Sequence, residues 1–278
     1  RTPKSREAFA KFAAAATARY RGKNVIWEIW NEPNIERFWS PEPNPYEYLL
    51  LVIDAATAIR SEDSEAYIVS GAVSGIDSSF LETCIRHGML NYVDAVSVHP
   101  YRRERPETVL PDYAKLWTLI RKYQPAGKNV SLVSGEWGYT TMLGRSEEEQ
   151  ARYFPRMMMV NAYAGIDFSI WYDFRDDGMD RRNGEHNYGL YRFDGREKPV
   201  LAAIRELSRN LAGKRFVRRL PSHSDDFLLA FVDSTGKTSV AAWTVRKDHL
   251  VALPHRAAVY LTQQPQFLVV SDEQIKQQ

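Results

Sequence analysis

The sequence predicts an α/β fold in which helices cover a parallel sheet, followed by a small antiparallel β unit. Two observations lead to this prediction. Between residues 5 and 212, amphipathic helical stretches alternate with five short apolar runs, and uniformly apolar runs are typical of parallel strands buried on both faces. After Gly213 the pattern changes to four apolar runs separated by turn residues, with no helical stretch between them.

The individual elements follow from periodicity and from capping residues. Helices are predicted over residues 5–20, 45–60, 79–87, 112–123, 146–164 and 199–212. The five strands are predicted over residues 25–30, 66–75, 92–101, 129–139 and 166–174. Ser5 is a plausible cap for the first helix, and the spacing in the second places Leu49, Leu50, Ile53 and Ala56 toward the core. The apolar runs 227–232, 239–245, 257–262 and 267–271 predict the antiparallel strands, so the expected domains are residues 1–213 and 214–278.

Composition bounds the function more than it defines it. The chain has 278 residues and a net charge of +2, which gives no electrostatic argument for a nucleic-acid or membrane partner. Cys84 is the only cysteine, so no intrachain disulfide can form. Aromatic residues make up 12% of the chain, which suits a protein that binds sugars and equally suits an aromatic core.

Polar side chains stand where the apolar strands end. Asn31 and Glu32 close the first strand, His99 and Tyr101 lie at the end of the third, and Glu136 lies at the end of the fourth. In parallel α/β sheets, ligands bind at the carboxyl ends of the strands, and a carboxylate that ends an apolar strand is costly unless it is paired or functional. Two carboxylates on one rim are what glycoside hydrolysis requires, since one protonates the leaving oxygen while the other attacks or activates water.

Two segments carry a family resemblance. "WEIWNEPN" at residues 27–34 and "SGEWGY" at 134–139 resemble the clan A glycoside hydrolases, which are retaining TIM-barrel enzymes. Residues 25–213 most resemble family 39, particularly its bacterial members acting on exopolysaccharides, through "FWSPEPNPYEY", "VDAVSVHPYR" and "GEWGYT". The Asn-Glu-Pro motif alone is shared with family 5.

The resemblance implies roles for these residues. Glu32 would be the general acid/base and Glu136 the nucleophile of a double displacement within a polysaccharide. The predicted substrate-binding residues are Asn31, Trp39, His99, Tyr101, Trp137, Trp171 and Glu185, the last because its loop could line the cleft. Of these, Asn31 would bind the sugar 2-hydroxyl, Tyr101 or His99 would orient the nucleophile or contact the sugar, and Trp171 would lie under the ring. No cofactor and no metal are implied. A non-catalytic or degenerate carbohydrate-binding barrel fragment is the alternative.

The chain departs from the family in its strand count. A TIM barrel needs eight strands, whereas five are predicted here and the Asn-Glu-Pro strand is the first of them. The expected fold is therefore an incomplete barrel holding strands 4–8. Its open edges predict a homo-oligomer or a complementing N-terminal segment that completes the barrel. No signal peptide is visible, and family resemblance favours a secreted or periplasmic location.

Two weaker patterns lie in the predicted rim loops. Six arginines could bind anionic sugars or form solvated loops: Arg102, Arg103, Arg105, Arg175, Arg181 and Arg182. Asp173, Asp176, Asp177 and Asp180 resemble a calcium loop only loosely, because their spacing fits no EF-hand.

Overall fold

The computed structural model describes residues 1–252 and 258–270, which group into two compact units. The first unit comprises Arg1–Arg102, Thr108–Trp137 and Ile166–Ile170. The second comprises Arg103–Glu107, Gly138–Gly165 and Trp171–Gln278. The expected boundary between residues 213 and 214 lies within the second unit, and the domain assignment stays a prediction. Among the described residues, no helix has both the length and the apolar character needed to cross a membrane.

The first unit alternates strands and helices as predicted. Its helices are α1 (Pro3–Tyr20), α2 (Pro45–Glu62), α3 (Ser78–Arg86) and α4 (Leu110–Tyr123). The strands of its sheet are β1 (Ile26–Glu28), β2 (Tyr67–Ser74), β3 (Ala95–His99), β4 (Ser131–Trp137) and β5 (Ser169–Trp171). These five strands lie in the order β1-β2-β3-β4-β5, and the first four pair in parallel. The predicted parallel α/β arrangement is therefore confirmed.

Local chemistry fixes the helix starts, with two corrections to the prediction. Helix α1 begins two residues earlier than expected, because Pro3 suits the first helical turn and Thr2, not Ser5, accepts the hydrogen bond of the Ser5 N–H. In α2, Leu50 was expected in the core but is 44% exposed. The buried stripe runs instead through Leu49, Val52 and Ala56.

A bulge in β2 shapes the centre of the sheet. The β2–β3 register shifts between Ser70 and Val73. Gly71 lies there with φ +104°, and a Cβ at this position would come within 2.6 Å of the Ser97 carbonyl oxygen. Only glycine fits such a conformation and such a close approach. Below the bulge, Val69, Ala95 and Val133 form a small apolar cluster with the partly buried Tyr67 and Phe168.

The second unit contains two helices and all the antiparallel strands. Its helices are α5 (Glu147–Tyr163) and α6 (Val200–Leu211). Its strands are β6 (Arg215–Arg219), β7 (Asp226–Val232), β8 (Thr238–Thr244), β9 (His249–Val251), β10 (Val259–Leu261) and β11 (Gln266–Val270). One sheet has the order β11-β8-β7-β6, and β9 pairs with β10. Leu228, Val240, Ala242 and Leu261 belong to its core cluster.

The predicted antiparallel unit is thus confirmed, with two strands that the sequence analysis did not predict. Strand β6 carries three arginines in the segment "RFVRR", so it lacks an apolar run. Strand β9 is only three residues long. Residues 257 and 271, which were assigned to strands, lie outside the described residues.

Candidate active site

Glu32 sits in a constrained turn directly after β1. Backbone bonds extend the β1–β2 ladder past the strand end, from Ile29 N to Val69 O (2.9 Å) and from Glu32 N to Ala72 O (2.8 Å). Trp30, Glu32 and Ala72 all have positive φ values, of +69°, +45° and +43°. Non-glycine residues rarely adopt this conformation, and its cost is about 1–3 kcal/mol each. The surrounding fold therefore fixes Glu32 in place against an unfavourable backbone preference.

Two side chains hold this turn against the sheet. Asn34 donates from Nδ2 to the Ser74 carbonyl (3.1 Å) and accepts at Oδ1 from the Ser74 N–H (2.8 Å). Tyr48 is fully buried, donates to the Ile29 carbonyl (3.0 Å) and accepts from the Gly71 N–H (2.8 Å). Burial raises the pKa of the Tyr48 hydroxyl, which keeps it neutral. The loop that carries Glu32 is consequently tied to β2 at both of its ends.

His99 links the two predicted catalytic carboxylates. It ends β3, and its side chain is 1% exposed. Its Nδ1 lies 3.1 Å from Glu32 Oε1 and 3.8 Å from Glu136 Oε2. The Tyr101 hydroxyl donates to the other oxygen of Glu136, Oε1, at 2.6 Å. Two residues that the sequence analysis expected near the nucleophile therefore both face it.

The two carboxylates lie close together. One oxygen of Glu32, one oxygen of Glu136 and a ring nitrogen of His99 all lie within 4.8 Å of one another. The Glu32 side chain is 11% exposed and that of Glu136 is 26% exposed. Among the described residues, His99 is the one basic side chain with a nitrogen within 4.0 Å of either carboxylate. Their remaining oxygen lone pairs are available to a ligand.

Gly135 makes room for a third carboxylate, which the sequence analysis did not single out. A Cβ at Gly135 would lie 2.3 Å from Ser97 Oγ and 2.6 Å from Glu28 Oε1. The Glu28 side chain therefore extends from β1 toward β4, where its carboxylate lies beside Gly135. Within the described part of the chain, Glu28 has no ion-pair partner and the buried Ser97 hydroxyl has no hydrogen bond. The signal in the sequence was a carboxylate inside the apolar run "VIWEIW".

The other residues predicted for the first unit lie in different environments. Asn31 is partly exposed. Trp39 is 3% exposed and packs edge-on against Trp30 and Tyr48, with ring centroids 5.6 and 5.9 Å away. Trp137 is fully buried, and the Arg102 guanidinium lies 5.9 Å from its ring. Their predicted sugar contacts stay predictions.

Trp171 and Glu185 belong to the second unit. Trp171 is partly exposed and its ring centroid lies 5.0 Å from that of Phe154. Glu185 lies in a short 3-10 helix, Gly184–Asn187, and accepts a 3.4 Å hydrogen bond from the Tyr172 hydroxyl. The same loop contains Asp173, whose Oδ1 is buried without a hydrogen-bond partner among the described residues. Burial and the neighbouring carboxylates of Asp177 and Asp176 raise the pKa of Asp173 to about 6.

The predicted arginines are mostly used in local contacts. Arg102 donates to the Pro100 carbonyl, to Thr108 and to Asp112 within the first unit. In the second unit, Arg181 donates to the Thr141 carbonyl at 3.0 Å. Arg182 forms an exposed ion pair with Asp180. Binding of anionic sugars by these arginines stays a prediction.

Comparison with known proteins gives the family context for this geometry. Residues 1–173 match the family described as Cellulase (glycosyl hydrolase family 5), which is more than half of the chain. A β-xylosidase of Geobacillus stearothermophilus is 32% identical over 92 residues, which are 32% of this chain and 18% of that protein.

Solved structures give the fold context. A family 39 glycoside hydrolase from Bacteroides cellulosilyticus WH2 superposes with a TM-score of 0.85 at 24% identity, covering 97% of this chain and 63% of that one. A family 39 β-xylosidase from Caulobacter crescentus gives a TM-score of 0.63 at 21% identity, over 89% of this chain and 55% of that one. The predicted incomplete TIM barrel is confirmed by this similarity, and the chain spans less than two thirds of each of these relatives.

Proposed function

Because the chain belongs to the family described as Cellulase (glycosyl hydrolase family 5), and is a family 39-like member of clan A, we propose that it cleaves glycosidic bonds in a polysaccharide with retention of configuration. The observation that carries this proposal is the convergence of Glu32 and Glu136 on His99. The proposed roles are acid/base for Glu32 and nucleophile for Glu136.

The short separation of the carboxylates supports retention over inversion. The two carboxyl groups of retaining enzymes lie about 5–5.5 Å apart, whereas inverting enzymes need about 6.5–9.5 Å to hold a water molecule between base and sugar. Here an oxygen of Glu32 lies within 4.8 Å of an oxygen of Glu136. This limit lies below the separation that inverting enzymes need, so it favours direct attack by Glu136 on the sugar.

The contacts of Glu136 suit a nucleophile. Tyr101 donates to Oε1, which leaves Oε2 to attack the anomeric carbon while Glu32 gives its proton to the departing glycosidic oxygen. The bond from Oε2 to the sugar then breaks as water attacks, with Glu32 accepting the proton of that water. Each carboxyl group ends the cycle in the protonation state in which it began it.

The relatives suggest a β-linked substrate. The Geobacillus stearothermophilus and Caulobacter crescentus proteins are named β-xylosidases, and a structural relative from Opitutaceae bacterium strain TAV5 is an exo-β-1,4-mannosidase. We therefore place xylo- and manno-configured β-linked polysaccharides first among the substrates, without a cofactor.

The open side of the sheet favours a partner. Strand β1 has no neighbour on its outer side among the described strands, and Ile26 is 48% exposed. The carboxylate of Glu28 lies beside Gly135 and the buried Ser97, and Glu28 is exposed and has no ion-pair partner among the described residues. We infer that a further β/α segment pairs with β1 and brings a cationic side chain to Glu28, because closing the sheet would otherwise bury an unpaired charge. Light scattering tests whether a separate segment or a second copy covers β1. A monomer is expected if a separate segment is needed, and a stable dimer of the chain would favour the homo-oligomer instead.

A second candidate function follows from the same observation. If the sheet must be completed before the substrate is held correctly, the isolated chain would bind carbohydrate without cleaving it. Within the described residues, Glu28 has no ion-pair partner and β1 has no strand on its outer side, which favours this alternative.

Reducing-sugar release separates the two candidates. The chain and its Glu136→Gln variant would be incubated with xylan, mannan and mixed exopolysaccharide. The proposal predicts release by the parent and none by the variant. Binding to one polysaccharide without release by either protein would support the non-catalytic alternative, and equal release by both would exclude Glu136 as the nucleophile.

A further inference from the structure

The site combines the two carboxylates with an imidazole nitrogen that the hydrolytic reaction does not require as a ligand. His99 Nδ1 faces Glu32 Oε1 at 3.1 Å and Glu136 Oε2 at 3.8 Å, and a donor atom of each residue lies within 4.8 Å of the others. A double displacement needs the two carboxylates and no nitrogen ligand. One imidazole and two carboxylates, however, are a common set of ligands for zinc.

The distances are close to those of a metal site. Zn²⁺ binds imidazole nitrogen and carboxylate oxygen at about 2.0–2.2 Å, so adjacent ligand atoms of a tetrahedral site lie about 3.4 Å apart. The two distances from His99 lie on either side of this value. Only the gap between the carboxylates must close, and the Glu136 side chain is 26% exposed and rotatable, so a small rotation can supply the movement.

The charge of the cluster also favours a cation. Two carboxylates face one another, and within the described residues neither forms an ion pair with lysine or arginine. Tyr101 occupies Oε1 of Glu136, so Oε2 is the oxygen presented toward His99. A cation that displaces the proton of the acid/base Glu32 would therefore be held by two carboxylates, each contributing a favourable contact.

One feature limits the affinity. A metal-binding histidine usually donates its second ring N–H to an acceptor, and loss of that partner weakens binding by about 10–100-fold. His99 Nε2 is buried without a hydrogen-bond partner in the part of the chain that the structure describes. The site would consequently bind and release metal, unlike a permanent structural site.

We propose that Glu32, His99 and Glu136 form an inhibitory site for a divalent transition metal ion, with Zn²⁺ as the reference ion. Bound Zn²⁺ occupies the proton-transfer oxygen of Glu32 and the attacking oxygen of Glu136 together. The inhibition rests on the proposed function, whereas the binding does not.

Calorimetric titration of the metal-free chain with ZnCl₂ tests the binding directly. We expect one Zn²⁺ per chain and no comparable heat with MgCl₂, because Mg²⁺ requires octahedral oxygen ligands. His99→Ala and Glu136→Gln are each expected to weaken the binding of Zn²⁺ at least tenfold. Tyr101→Phe should retain it, since the tyrosine is not a ligand.

A second histidine–carboxylate pair supplies the matched control. His249 Nε2 lies 3.0 Å from Asp226 Oδ2 in the second unit, with a single carboxylate and Arg246 beside it. His249→Ala should leave the affinity for Zn²⁺ unchanged. Circular dichroism would check that the His99→Ala variant is folded. Because Glu136 is partly exposed, Glu136→Gln tests the Zn²⁺ site independently of any misfolding caused by His99→Ala.

The outcomes are distinct from those of the hydrolysis assay. Zinc binding lost in both His99→Ala and Glu136→Gln supports the site even if the chain releases no sugar. Unchanged affinity in these two variants, or loss of affinity in His249→Ala alone, would overturn it. Where hydrolysis is measured, Zn²⁺ should suppress it and EDTA should restore it, and full turnover with the site saturated would refute the inhibition.

Discussion

Each unit contains a site built around carboxylates, and the two sites differ in how many hydrogen bonds the carboxylate oxygens accept. In the second unit, Glu107 Oε1 accepts from Arg156 Nε and Trp243 Nε1, both at 2.7 Å, and Oε2 accepts from Arg156 Nη2 at 2.6 Å. In the first unit, Glu32 and Glu136 face each other and a histidine, with no lysine or arginine ion pair among the described residues.

The difference separates a carboxylate with structural contacts, Glu107, from the two carboxylates that we propose to be catalytic. Glu107 and Arg156 are almost completely buried, and a bidentate pair of this kind neutralises both charges. Glu32 instead occupies a backbone conformation with φ +45°, and its neighbours leave oxygen lone pairs open. Burial alone therefore does not distinguish the proposed catalytic carboxylates from Glu107. Open acceptor oxygens do, and Glu32 in addition has a strained backbone.

The largest effect is expected when one carboxylate of each site is replaced by an amide, which tests whether the two sites have different roles. Glu136→Gln should lower turnover about a thousandfold or more, because an amide cannot form the glycosyl-enzyme bond. Its melting temperature should change little, since Glu136 forms no ion pair with a lysine or arginine in the described part of the chain. Turnover and thermal unfolding would be measured on the same preparation. Glu107→Gln is the control, and it should lower the melting temperature instead.

The ion pair of the second unit gives the next largest effect. Arg156→Met leaves Glu107 buried without its cation, which should cost about 3–5 kcal/mol of unfolding free energy. Urea titration followed by tryptophan fluorescence measures this loss. Lys11→Met, which removes the exposed pair with Glu7, is the control and should change stability far less. Equal effects in the two variants would contradict the structural role of Glu107.

Tyr101→Phe sharpens the comparison within the active site. It removes the 2.6 Å hydrogen bond to Glu136 and leaves the imidazole of His99 in place. A hydrogen bond to a charged group contributes about 1.5–3 kcal/mol, so kcat should fall about 10–100-fold if the bond is strongest in the transition state. Steady-state kinetics would separate this fall in kcat from a rise in KM. An unchanged kcat would exclude a role for Tyr101 in orienting the nucleophile.

The smallest expected effect concerns Asp173. Burial and nearby carboxylates raise the pKa of Asp173 to about 6, so the folded state holds a proton that the unfolded state releases near pH 4. This difference destabilises the fold as the pH rises from about 4 to about 6. Above pH 6, Asp173→Asn should therefore raise the melting temperature, and the gain in unfolding free energy should be about 1 kcal/mol or less because the group is partly exposed.

Measurement of the melting temperature from pH 4 to pH 8 checks this prediction. The advantage of Asp173→Asn should vanish near pH 4, where both states of the parent are protonated. Asp194→Asn is a suitable control, because hydrogen bonds from the Arg196 backbone and side chain lower the pKa of Asp194 and it should show no such gain. A stabilisation by Asp173→Asn that does not depend on pH would contradict the assignment.

The sequence predicted the parallel sheet well because its strands are apolar and its helices are capped. It could not predict strand β6, since Arg215, Arg218 and Arg219 hide the apolar residues Phe216 and Val217. Leu50 was misplaced because α2 has leucine, valine or isoleucine at five consecutive positions, so periodicity alone does not select the buried face.

The same limit applies to the site. The proximity of Glu32 and Glu136 could be predicted because each lies at the end of an apolar strand and matches a motif. The Glu107–Arg156–Trp243 cluster could not, because 49 and 136 residues separate Glu107 from its partners and no local pattern joins them. The positive φ of Glu32 was equally hidden, since nothing in Asn-Glu-Pro requires a left-handed backbone.

The most direct test of the central claim is to trap the covalent intermediate. A 2-deoxy-2-fluoro-β-xylosyl fluoride carries a good leaving group, and its fluorine slows the second step, so a glycosyl-enzyme should accumulate. Peptide mass mapping of the labelled chain should place one sugar on Glu136 and none in the Glu136→Gln variant. A label on another residue, or turnover that proceeds without any adduct, would contradict the proposed role of Glu136 and with it the retaining mechanism.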